Sequence, residues 1–124
     1  MKQEDKELLL MDLCSRLPYG VKFIDVLNLT ERPLTLQSIG DDGLLMATDG
    51  FSFDLEHIKP YMLPMSSMTK EQSEIYNELI RGMFGTSVLI NLETLIDWLH
   101  TNHFDYRGLI EKGLAIDATG LNIY

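Results

Sequence analysis

Apolar positions near the start of the chain recur at spacings of three and four. Leu9, Leu10, Leu13, Cys14 and Leu17 form one stripe and predict a helix over 3–17, stopped by Pro18 and turned by Tyr19-Gly20. The period then shortens to two. Val21 to Leu27 is rich in Val, Ile and Phe, and Leu34-Thr35-Leu36-Gln37-Ser38-Ile39 alternates as a half-buried strand does. Leu44 to Thr48 is another apolar run, and Phe51-Ser52-Phe53-Asp54-Leu55 alternates again. Asp49-Gly50 between these two predicts a two-residue hairpin loop with φ > 0 at both positions. A small antiparallel meander follows, and a curl like an SH3-type barrel fits it. Asn28, Thr30 and Pro33 mark a loop, and Gly40-Asp41-Asp42-Gly43 a turn.

The segment 59–68, Lys59-Pro60-Tyr61-Met62-Leu63-Pro64-Met65-Ser66-Ser67-Met68, breaks both periods. Two prolines four apart disfavour helix and favour extended or polyproline-II backbone. Met62, Met65 and Met68 recur every three, so they line one face of a three-residue-per-turn strap. Such a stripe suits either an adaptable binding surface or a strap that packs the sheet onto the helical half. Thr69-Lys70-Glu71-Gln72 is a capping-box pattern. The helix behind it carries Ile75, Tyr76, Leu79, Ile80 and Met83 on one face and ends at Gly82 or Gly85. Asn91 caps the next helix, whose stripe is Leu92, Leu95, Ile96 and Leu99. A turn over 107–113 and short strands near 114–116 and 121–123 complete the chain. The fold class is α+β in a single domain over 1–124: helix plus sheet (1–58), Met/Pro strap (59–68), and a mainly helical part with two or three helices (69–124).

Composition narrows the function. The chain has 124 residues, 45% hydrophobic and 23% charged, which is a globular composition. Ten bases against 19 acids give a net charge of −9. That balance argues against a basic nucleic-acid surface and against attachment to anionic membranes. The apolar run Leu8-Leu9-Leu10-Met11 is too short for a signal h-region, and no run reaches membrane-span length. With one cysteine, Cys14, on the first helix's stripe, the expectation is a buried structural thiol in a reducing cytoplasm.

Motifs for phosphate, dinucleotide, zinc or calcium binding and for serine hydrolases are absent from the sequence. Glu93, Asp97 and His100 share one helix face, and His103 and Asp105 follow, a set of borderline and hard metal ligands. With Leu92 at zero, Glu93, His100 and Asp97 fall at about 100°, 80° and 140°. His103 falls at about 20°, inside the apolar stripe if the helix continues. His57 has no evident partner in the sequence. His103-Phe104-Asp105-Tyr106-Arg107-Gly108 packs two aromatics, an acid and a base into a loop. It reads either as a binding surface or as aromatic anchors with an Asp105–Arg107 ion pair.

Leu13-Cys14-Ser15-Arg16-Leu17-Pro18-Tyr19-Gly20-Val21, the 59–68 segment, Asp97-Trp98-Leu99-His100 and the stretch from His103 to Ile116 resemble a family of small uncharacterised proteins from gut anaerobic bacteria and their phages or prophages. The resemblance covers nearly the whole chain. It implies a bacterial, prophage-associated, intracellular origin and transfers no catalytic residue and no cofactor. The leading expectation is a non-enzymatic module that binds another protein through Phe104, Asp105, Tyr106, Arg107, Met62, Met65 and Met68. On that expectation Tyr106→Ala and Arg107→Ala leave the melting temperature nearly unchanged. The alternatives are an acidic DNA-mimic inhibitor and a small metal-dependent enzyme using Glu93, Asp97, His100 and His103.

Overall fold

The computed structural model describes residues 1–27, 32–41, 43–82 and 88–124, with backbone alone for 88–91. The expectations for Asn28, Thr30, Asp42, Met83, Gly85 and the side chain of Asn91 lie outside these residues. The protein is α+β: an N-terminal helix, a sheet, then C-terminal helices.

Helix α1 spans Gln3–Arg16 and runs into a short 3₁₀ turn at Leu17–Tyr19, where Pro18 ends it. Its buried face holds Leu9 and Leu13, but also Asp12 and Arg16. At about 100° per residue with Leu9 at zero, Leu13 lies at 40°, Arg16 at −20° and Asp12 at −60°. Cys14 lies at about 140° on the same wheel, facing away, and it is exposed rather than buried.

Strands β1 (Lys22–Asp25), β2 (Leu34–Ile39), β3 (Leu44–Ala47) and β4 (Ser52–Asp54) form the antiparallel meander. The β3–β4 hairpin corrects the expected turn. Ala47 N–H donates to Phe51 O at 3.0 Å, so the loop is three residues, 48–50, and of these only Gly50 has positive φ, at 91°. Asp49 stays in ordinary backbone and accepts from Phe51 N–H. Its value at the turn is this side-chain bond, not tolerance of the left-handed region.

The proline segment is extended, as its prolines suggested. It is extended as strand β5, Ile58–Pro64, inside the sheet, rather than as a separate polyproline strap. It pairs antiparallel with β1 and parallel with two short strands, β6 (Phe104–Asp105) and β7 (Ile116–Asp117). Val26 N–H donates to His57 O, so by antiparallel alternation Ile24 and Lys59 form a hydrogen-bonded pair and Phe23 and Pro60 do not. The missing N–H of Pro60 therefore removes no bond to β1, and proline's extended φ suits a strand. A strand puts successive side chains on opposite faces, so the methionines share no stripe. Met62 is buried under the sheet, while Met65 and Met68 pack beside the helices.

The sheet order is β4-β3-β2-β1-β5-β6, with two edges, so no barrel closes. It does curl. Phe23 on β1 and Phe53 on β4 meet edge-to-face at 5.3 Å, although three strand spacings of about 4.8 Å separate them in a flat sheet. α1 fills the inner side of this curl through Leu9 and Leu13, against Phe23, Leu36, Leu45 and Met62.

A second core lies beyond the ends of β5 and β6. Helix α2 (Lys70–Gly82) begins with the predicted capping box: Gln72 N–H donates to Thr69 Oγ1 and Thr69 N–H to Gln72 Oε1. Helix α3 (Val88–Thr101) starts ahead of Asn91, which is inside the helix and not its cap. Leu95 and Leu99 pack on Phe104, with Tyr76, Trp98, Met65 and Met68 around them. Leu92, at the other end of the predicted stripe, is exposed. The C-terminal segment lies against the sheet. The Tyr124 hydroxyl accepts from Lys22 N–H and donates to Tyr61 O, and burial pushes it up to about 12. The expected strand over 121–123 is absent and irregular backbone stands there.

Candidate functional site

β5 and β6 run parallel and end together, with Pro64 and Asp105 as register partners. The chains then diverge, one into the 3₁₀ turn Met65–Ser67 and the other into the loop that follows Asp105. A cleft of about 300 Å³ opens between them, lined by Pro64, Met65, Ser66, Asp105, Tyr106, Gly108, Ile110 and Glu111.

A buried polar network fixes the loop wall of this cleft. Asp12 and Arg16 are 0% and 2% exposed. Arg16 Nε lies 2.8 Å from Asp12 Oδ2, an ion pair without good hydrogen-bond alignment, and Nη2 donates to Phe104 O at 2.6 Å. Arg107 reaches the other Asp12 oxygen at 3.3 Å. Burial raises the Asp12 carboxyl, against the lowering pull of the two guanidiniums. Both guanidiniums also stand over the Tyr106 ring, at 5.2 and 5.1 Å from its centroid. Asp105 does not pair with Arg107 as the sequence suggested. Its two oxygens each accept a backbone N–H, from Leu109 and Ile110, both at 2.9 Å. That ties the loop into a turn, and Gly108 supplies its left-handed residue, φ 74°.

The network continues into α3. Tyr106 OH and His100 Nε2 are 2.8 Å apart, Tyr19 packs edge-on to His100, and the Tyr19 hydroxyl donates to Asp97 at 2.5 Å. That bond raises the Tyr19 phenol. His100 is 4% exposed, and burial, helped by Arg16 and Arg107, lowers it to about 4. His103 sits at φ 61°, stacks on Tyr124 with centroids 3.5 Å apart, and is likewise lowered to about 4 by burial.

These contacts take the expected metal set apart. Glu93 is exposed, Asp97 is held by Tyr19, His100 by Tyr106, and His103 by Tyr124. Among the described residues no three metal-ligating groups converge. The reason is geometric: the chain leaves α3 near residue 101 and His103 turns left-handed, so the helical spacing does not extend to it.

The expected binding residues divide. Phe104 and Met62 are 0% and 1% exposed and cannot meet a partner, and Met68 packs beside the helices. Met65, Asp105 and Tyr106 do line the cleft, Asp105 with both oxygens already accepting a backbone N–H. Gly108 lay in the loop read as a binding surface; Pro64, Ser66 and Glu111 were not singled out, and the parallel pairing that brings the two walls together leaves no sequence signal. Asp12 and Arg16 had one: an i, i+4 acid–base pair on the leucine face of a helix.

The contacts argue for the opposite of the neutral effect expected of Tyr106→Ala, because Tyr106 packs in the second core and bridges His100 to the guanidiniums. Tyr106→Ala should cost about 2 kcal/mol, a Tm loss of roughly 8 °C by scanning calorimetry. An unchanged Tm would return the ring to a solvent role. Compared with known families, characterised proteins and solved structures, the chain matches none of them. Among the described residues no helix is long and apolar enough to cross a membrane.

Proposed function

We propose that this chain is a non-enzymatic protein-binding accessory module, of bacterial or prophage origin, that meets its partner at the cleft between Met65–Ser66 and Ile110–Glu111. One observation carries the reading: the inner polar side chains of the cleft, Asp105 and Tyr106, are held by contacts of the fold, with exposed Ser66 and Glu111 beside them. Asp105 is bound at both oxygens by backbone N–H groups, and His100 and Tyr106 are bonded to each other. The cleft therefore offers a rigid outline, apolar walls and charge, the ingredients of recognition.

The test is site-specific crosslinking in bacterial host cells. A photo-reactive residue at Glu111 should give one discrete crosslinked protein, and the same residue at Asp49, on the hairpin leading to the far edge strand β4, should not. Equal products from both positions, or none from Glu111, would refute the assignment.

A further inference from the structure

We infer that the cleft accepts one basic side chain, a lysine or arginine, from a partner protein; this rests on the protein-binding reading and specifies what is bound. Size is the first argument. About 300 Å³ is at the floor of the range for drug-sized ligands, so it admits a single long side chain and excludes a helix or strand. The walls are the second. Pro64, Met65 and Ile110 present the apolar surface that a methylene stem covers, and Asp105 and Glu111 supply two carboxylates. None of the lining residues is basic, and the two guanidiniums over the Tyr106 ring, Arg16 and Arg107, are paired with Asp12.

Preorganisation is the third. Asp105 is 7% exposed and held at both oxygens by Leu109 and Ile110 N–H, so it keeps its place whether or not the cleft is filled. Carboxylate oxygens can each accept more than one donor, which leaves capacity for an incoming ammonium or guanidinium. Glu111 is exposed at the rim. The net charge of −9 steers a basic partner toward the whole molecule, and the cleft fixes where it lands.

A displayed library of linear peptides, panned against the full chain, tests this. Control selections use Ser66→Trp, which fills the mouth from an exposed position, and Glu111→Lys, which reverses the rim charge. Expected are enriched peptides that share one Arg or Lys and fail on Ser66→Trp. They should weaken about fivefold or more on Glu111→Lys. Replacing the shared base by citrulline or norleucine should abolish binding. Peptides that require an open cleft but share no base, or that bind equally with citrulline, would overturn this inference and leave the protein-binding reading standing. Peptides that ignore Ser66→Trp altogether would overturn both.

Discussion

Replacing Arg16 by alanine is expected to remove about 3–5 kcal/mol of stability, because it strands a buried carboxylate and a buried carbonyl together. Asp12 is fully buried, and Phe104 O receives its 2.6 Å bond from the lost guanidinium. Arg107 is only a partial substitute, at 3.3 Å and 21% exposed. In a domain of this size the loss corresponds to a Tm drop of about 10–20 °C. The double change Asp12→Leu with Arg16→Met should recover the part due to the stranded carboxylate, since a packed apolar pair is often as stable as a buried ion pair, but not the part due to Phe104 O, which stays without its donor. Scanning calorimetry of the two variants decides the matter. A single variant that melts within a few degrees of the parent would mean that the pair contributes little.

Acidification should destabilise the fold well above the range where carboxylates titrate. His100 and His103 are held near 4 against an ordinary 6.5. Between those values the unfolded chain binds protons that the native one refuses, so stability is fully present above about pH 6.5 and is lost as pH falls toward 4. For His100, almost wholly buried, the full shift is worth at most about 3 kcal/mol. His103 is half-buried and contributes less after solvent screening. Asp12 acts with the opposite sign, since a raised carboxyl favours the native state as pH falls. The variant His100→Gln keeps a hydrogen-bonding partner for Tyr106 and cannot ionise. Its Tm should decline less steeply than the parent's between pH 7 and about pH 5. Parallel slopes would remove His100 from the account.

What the sequence made legible was local. The first helix, the meander and the capping box at Thr69 follow from periodicity and side-chain chemistry within a few residues. The extended backbone of β5 was legible from its prolines, but its place inside the sheet was not, since only the partner strand reveals that Phe23 and Pro60 exchange no bond. Asp12 and Arg16 were visible as an i, i+4 pair, but their burial was not, because charged helix positions are ordinarily solvated. Their burial depends on Phe104 and Arg107, which arrive from far along the chain. The cleft was hidden for the same reason, since its two walls lie some forty positions apart and meet only through the parallel pairing of β5 and β6.

The bond from Arg16 to Phe104 O spans 88 positions. Synthesis delivers α1 well before the surroundings that make its charged inner face tolerable. A nascent chain thus carries a leucine-bearing helix that cannot dock in its final seat until the segment through Arg107 has cleared the ribosome. Until then the solvated arginine keeps that helix surface compatible with water, so the residue most demanding in the finished molecule serves as a solubilising group while it is being made.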